Sequence, residues 1–283
     1  GWNNQINAGQ YIWDVINPNP SKWKEGVRLM HHVLQLNGKN QEVVKRACGT
    51  LGHLYADCLE DYARAAFWWR LAGDNDLNLA HCYWKLGSKP MAEAILKQYS
   101  NDNTRHGTLM RLWAEMGETD TALTMATKRA GGSTPDVGHL VAGDIHRLTG
   151  QYPEALKSYQ KVLDVKTGSR DLVQTQKRAR SNIEAIKVFD SLDLKRIPDG
   201  KYKDKALGYE ADVEVEVSVK SGKIDAVRVT QHREKQYYSA LADTTRQIID
   251  KQAVKGVDAT ARATITSEAI INATAKALAS GLK

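Results

Sequence analysis

Four valines spaced two apart, Val213, Val215, Val217 and Val219, alternate with Asp212, Glu214, Glu216 and Ser218. Successive side chains of an extended chain point to opposite faces, so this run fits a strand with one apolar face on a core and one charged face in water. A helix would spread the same valines around its whole circumference. Ile224-Asp-Ala-Val227-Arg-Val229-Thr follows after Lys220-Ser-Gly222-Lys, a turn sequence, and the two runs predict a β-hairpin. Ala240 to Gln252 then reads as an amphipathic helix with Leu241, Ile248 and Ile249 on its apolar side. Upstream the period is different. Residues 1 to about 190 carry a helical pattern, a helix from about Leu172 to Val188 closes it, and Ser191 to Pro198 reads as a short linker. The expected class is α+β overall, with a helical region over 1–190 and a small α+β region over 197–283.

Within the helical region, a glycine that ends one helix is followed five residues later by an alanine of the next: Gly87 and Ala92, Gly117 and Ala122, Gly150 and Ala155. The period of the alanines, 30 and then 33 residues, is that of paired-helix repeats. The clearest copy runs from Val141-Ala-Gly-Asp-Ile-His-Arg-Leu-Thr-Gly150 through Tyr152, Ala155 and Tyr159 to Leu163, and it resembles a tetratricopeptide repeat. An earlier copy, from Leu51-Gly52 to Trp68-Trp69, sets Ala65 where Ala155 stands. Four or five repeats are expected, and the segment Trp23 to Leu36 is a diverged first helix. The resemblance implies a solenoid that holds a partner protein or peptide. His31, His32, His53, His81 and His139 are scattered through these helices and read as packing or groove lining. Trp68, Trp69, Trp84 and Trp113 read as inter-helix packing.

The chain is 42% hydrophobic and 26% charged, values of a soluble globular protein. No apolar run reaches the roughly 20 residues that span a bilayer. Its formal charge of +7 comes from 40 basic against 33 acidic residues and is spread along the chain. Only Lys166 to Arg180 is locally basic, and without aromatic neighbours it reads as a solvated helix face and argues against nucleic acid as a partner. Cys48, Cys58 and Cys82 have no metal-ligand spacing; a Cys48–Cys58 bridge suits an oxidising compartment, while buried free thiols suit the helical pattern better. The chain opens Gly1-Trp2 with no initiator Met, which reads as a trimmed start of the kind a mature exported protein has.

Near the end lies Asp258-Ala-Thr-Ala-Arg-Ala-Thr264-Ile-Thr-Ser267, a hydroxyl-rich turn expected to lead into a helix from Glu268 to Leu282. The unpaired N–H groups and positive dipole end of a helix start are a seat for phosphate. Ser and Thr also cap helices for structural reasons alone. The order Asp199-Gly200-Lys-Tyr202, a glycine-bearing strand at Gly208-Tyr209, the valine strand, Ser221-Gly222-Lys-Ile224, His232-Arg-Glu234, a helix, then Asp258 to Thr264 before a last helix, resembles the FMN-binding domain. That family serves ion-pumping redox complexes and exported electron-transfer proteins, and the resemblance covers about residues 197 to 283.

In the family, a flavin transferase recognises an aspartate, two variable residues, Ser or Thr, then Gly-Ala-Thr, and joins the last threonine to the phosphate of FMN. The resemblance implies that Asp258 is that aspartate, Ala263 the alanine and Thr264 the acceptor, with Thr266, Ser267 and the helix start as the phosphate cradle. Ala261 stands where Ser or Thr is usual. Arg262 stands at the glycine position, trading backbone freedom for a guanidinium that pairs with phosphate. Tyr237 and Tyr238 are candidates for stacking on the flavin ring. The implied protein is an extracytoplasmic flavin electron carrier, with a redox partner, a flavin transferase and a protein on its repeats, and not a stand-alone hydrolase or transferase. The alternative is a tetratricopeptide scaffold whose FMN-type domain has lost its flavin, a reading that the changes at Ala261 and Arg262 support.

Overall fold

The computed structural model describes residues 4–99, 106–209, 211–234, 239–257, 259 and 263–282. The chain forms two compact units, residues 1–105 with 235–239, and residues 106–234 with 240–283.

The first unit is helical. Helix α1 (Asn4–Tyr11) runs into a π-helical turn over Ile12–Ile16, and α2 (Trp23–Asn37), α3 (Gln41–His53), α4 (Tyr62–Leu71), α5 (Leu77–Lys85) and α6 (Lys89–Leu96) follow. Asn40, Asp61 and Asp76 start α3, α4 and α5 by accepting the backbone N–H groups of Val43, Arg64 and Leu79, donors that the first helical turn leaves unpaired. Gly52 lets α3 and α4 approach, because a methyl there would sit 2.5 Å from the indole of Trp69. The histidines serve packing and ion pairing: His81 meets Tyr62 edge-on, His31 meets Trp68, and His53 pairs with Asp57. All three cysteines are free and buried. Burial, reinforced by Asp57, pushes the Cys58 thiol up to about 12, so it stays protonated. Among the described residues no group of His, Cys, Asp and Glu is placed to hold a metal ion.

The second unit begins with α7 (His106–Glu115), α8 (Thr119–Ala130), α9 (Pro135–Leu148), α10 (Tyr152–Asp164) and α11 (Leu172–Phe189). The glycine and alanine positions fall where the sequence sets them. Gly87, Gly117 and Gly150 take left-handed φ values of 82°, 86° and 74° between the helices of a pair, and Ala92, Ala122 and Ala155 are fully enclosed. Gly143 repeats the contact of Gly52: its methyl would lie 2.5 Å from the ring of Tyr159.

A three-stranded antiparallel sheet follows, β1 (Gly200–Leu207), β2 (Asp212–Lys220) and β3 (Lys223–Gln231), in that spatial order. Tyr202 faces Val217 and Val217 faces Val227, so the valine face is continuous. Ser221 and Gly222, with φ of 52° and 70°, close the hairpin in the two-residue form whose twist matches the strands. On the wet face Lys201 and Lys203 meet Glu216 at 3.0 and 3.5 Å. Helices α12 (Ser239–Lys251) and α13 (Thr264–Ser280) complete the unit.

Helix α13 has little contrast between a polar and an apolar face and is buried along nearly its full length, its few polar side chains included. It therefore needs cover on both sides: β1 and β2 supply one and α11 the other. The resulting core runs without a break from Leu140, Tyr159 and Ile186 to the four valines, Ile248 and Leu278. Ile197, in the segment expected as a linker, is 3% exposed and belongs to the same core.

Three expectations are corrected. Gly208 and Tyr209 lie in the connection after β1, and the strand is the polar run Gly200–Leu207. The last helix starts at Thr264, four residues before Glu268, which places Thr266 and Ser267 inside its first turns. Arg178, grouped with a solvated basic face, turns inward, because Asp144 and Glu268 within 3.6 Å attract it more than water does.

Candidate functional site

At the start of α13, Ala263 is buried and its carbonyl accepts the N–H of Ser267 at 2.9 Å, the first turn of the helix. Thr266 and Ser267 are 3% and 0% exposed. The Thr266 hydroxyl donates to the Glu234 carboxylate, and Ser267 Oγ accepts from Thr244 Oγ1 of α12 at 3.0 Å. Glu234, itself buried, also accepts the N–H of Tyr209 at 2.9 Å through Oε1. Gly208 is required there, since a Cβ would come within 2.4 Å of Glu234 Oε1 and 2.7 Å of the Ala211 carbonyl. One carboxylate thus ties together the turn after β1, the end of β3 and the first turn of α13. Beside it, burial holds the His232 imidazole below its usual pKa, against the opposing charge of Glu234, which favours the neutral ring.

Of the residues expected to form the site, Thr264 is the half-buried first residue of α13, and Ala263, Thr266 and Ser267 stand beside it with their side chains enclosed. Asp258 and Arg262 lie outside the described residues, as do Ala261, Tyr237 and Tyr238.

Thr264, Glu268 and Ile271 follow one another at i, i+4 and i+7, a single stripe of α13. The stripe meets an ion cluster built by the helices of the same unit. Glu268 Oε2 is 3.4 Å from Arg178 Nη2 and accepts from Asn182 Nδ2 at 3.4 Å, and Oε1 is 3.8 Å from Arg111 Nη1. Asp144 accepts the Tyr159 hydroxyl at 2.7 Å and lies 3.6 Å from Arg178. Burial first, and the nearby charge of Glu268 second, push the Asp144 carboxyl up to about 6. The Tyr159 phenol is held well above its usual range by burial and by Asp144. Arg147 donates to Asn182 Oδ1 at 3.1 Å and Asn272 Oδ1 at 2.9 Å, with its guanidinium 5.6 Å from the centre of the Phe189 ring.

A cavity of 80 Å³ opens beside the cluster, lined by Arg111, Arg147, Glu268 and Ile271 and, from the segment that leads toward Thr264, by Gly256 and Ala259. That segment is anchored on the helical pairs. Gly256 donates its N–H to the Tyr152 hydroxyl at 3.1 Å, and Lys255 pairs with Asp190 and lies 5.2 Å from the Tyr152 ring centre.

Residues 208–279 match the family model of the FMN-binding domain. The match begins at the glycine packed on Glu234 and ends within α13. It supports FMN as the cofactor of this region. No curated protein and no solved structure matches the chain.

The donor set in and beside the matched region includes groups that suit an anion. Thr264 is half-buried while Thr266 and Ser267 next to it are enclosed, and the neighbouring cavity is lined by cationic Arg111 and Arg147 together with the carboxylates of Asp144 and Glu268. Sequence reasoning missed Arg111, Arg147, Arg178, Glu234 and Glu268. A signal existed for some ion-cluster members: Asp144 and Glu268 are charges inside otherwise apolar helical runs. Arg111, set in Leu109-Met-Arg-Leu-Trp-Ala114, carries the same mark, whereas Arg147 follows His146 in a polar pair and does not.

Proposed function

We propose that the chain is an extracytoplasmic electron-transfer module that carries FMN esterified through Thr264, with tetratricopeptide-like helical pairs that dock a partner protein. The observation that carries the reading is the placement of Thr264, a half-buried residue at the head of α13 inside the matched region, with Thr266 and Ser267 engaged elsewhere. When bound, FMN supplies one- and two-electron chemistry, and the protein supplies position and electrostatics. In the attachment, a bond forms between Thr264 Oγ1 and the phosphorus of the flavin phosphate, the hydroxyl proton leaves, and the phosphoanhydride bond of a flavin dinucleotide donor breaks, so that the nucleoside monophosphate half departs as the leaving group. Asp258 is the residue read by that transferase, and Arg262 pairs with the phosphate. For the docking role, the glycine and alanine register of the helix pairs gives support, together with the exposed Leu36, Phe67 and Leu71 of the first unit.

Co-expression with a flavin transferase in an exporting host tests the reading. The expected product is a yellow protein whose mass gain equals one esterified FMN, localised to the peptide containing Thr264 and lost in Thr264→Ala. Colourless protein of unmodified mass, with no response to added FMN, sinks it and leaves a scaffold without flavin.

A further inference from the structure

We propose that Arg147 and Arg111, supplied by α9 and α7, form the seat of the flavin phosphate, so that the helical pairs build one wall of the cofactor site. This inference deepens the flavin reading and rests on it for the identity of the group that bears the phosphate.

Three observations carry it. The cradle expected from Thr266 and Ser267 is committed elsewhere, since both side chains are enclosed and bonded to Glu234 and Thr244. The stripe that starts with Thr264 continues through Glu268 and Ile271, both of which line the cavity, so Thr264 stands one helical turn before the first lining residue of α13. The cavity itself is of the right size, and its lining sets Arg111 and Arg147 beside two carboxylates, Asp144 and Glu268, both of which Arg178 engages. At 80 Å³ it has room for on the order of five water-sized groups, the number of heavy atoms in a phosphate and far fewer than in a flavin ring.

The charges divide in a way that leaves Arg147 available. Arg178 lies between Asp144 and Glu268, and Tyr159 also donates to Asp144. Arg111 pairs with Glu115 at 3.2 Å and stands 3.8 Å from Glu268. Arg147 differs from both: among the described residues no carboxylate lies within ion-pair distance of it, and its hydrogen bonds go to two neutral amides. Those amides and the Phe189 ring hold the planar group in place without cancelling its charge. A cation fixed by neutral partners at the wall of a small cavity matches an esterified phosphate, which retains one negative charge.

Two measurements decide it. On protein without flavin, the thermal midpoint is followed in inorganic phosphate and in sodium chloride of equal ionic strength. Wild type is expected to show a saturable rise in phosphate alone, since a ligand of the folded state stabilises by mass action. Arg147→Gln loses about tenfold or more in apparent phosphate affinity, and Arg147→Lys keeps part of it. Arg111→Gln supplies the second variant if Arg147→Gln does not fold. A midpoint that does not distinguish phosphate from chloride, or the same rise in the glutamine variants, overturns the proposal. On protein carrying the adduct, the ³¹P resonance is expected to move between wild type and Arg147→Gln, and an unmoved resonance overturns it as well. Absence of the adduct from wild type by mass removes the Thr264 reading, while the phosphate measurement still decides the seat.

Discussion

Glu234 is the residue whose removal tests the architecture of the site most directly. Its buried carboxylate accepts the Tyr209 N–H and the Thr266 hydroxyl. Hydrogen bonds to a charged group contribute about 1.5–3 kcal/mol each, and stranding a buried donor costs a similar amount. Glu234→Ala strands two donors and leaves space beside Gly208, so a loss of about 3 kcal/mol or more is expected. Glu234→Gln keeps one acceptor oxygen for Tyr209, and the Thr266 hydroxyl can turn to accept from the new amide, which limits the loss to about 1 kcal/mol. Amide hydrogen exchange at β2 is the suitable assay, because of the 7 tryptophans only Trp113 belongs to the second unit and emission reports mainly on the first. A 3 kcal/mol loss corresponds to about a hundredfold fall in protection of the most stable amides. Alanine and glutamine variants that exchange alike, or an alanine variant within about 0.5 kcal/mol of wild type, would refute the view that this carboxylate holds three elements together.

Two further outcomes follow from the helical side of the same unit. Gly143→Ala drives a methyl into the Tyr159 ring at 2.5 Å; overpacking costs about 1–3 kcal/mol, the better helix propensity returns about 1, and net destabilisation is expected in denaturant unfolding. A more stable variant would contradict the close approach of α9 and α10. Asp144, raised from 3.8 to about 6, holds a proton in the folded state that the unfolded chain has released. Because the folded state binds more protons in this window, stability falls as pH rises from about 4 to about 6 and is level above that. Relative to Asp144→Asn, wild type is expected to lose on the order of 3 kcal/mol across the window. Unfolding midpoints that stay parallel from pH 4 to 7 would show that Glu268 and burial do not act on Asp144 as the geometry requires.

The hairpin was readable because a period of two over Val213–Val219 leaves one way to bury four valines, and Ser221-Gly222 supplies the positive φ angles its turn needs. The helix pairs were readable from glycine positions, since a left-handed residue ends a helix locally. β1 was not readable. Its lysines pair across the sheet with Glu216 and Asp212, so its strand character comes from a partner and not from its own pattern. Gly208 reads as a strand residue in sequence for the opposite reason: what requires glycine is Glu234, 26 positions away in sequence and touching it in space. The site shows the same division. Thr264 stands in a local motif, whereas Arg147 gains its meaning from Asn272, 125 residues further on.

The enclosure of α13 also governs the order in which the molecule can be made. The sheet, α11 and the arginines of the ion cluster precede it in the chain, whereas Glu268 of that cluster belongs to α13 itself, so their faces toward α13 stay uncovered until Thr264–Ser280 has left the ribosome. Contacts of such long sequence separation form late and slowly. Thr264 belongs to that same element, so the proposed attachment residue takes its position only once α13 has docked on the sheet and α11.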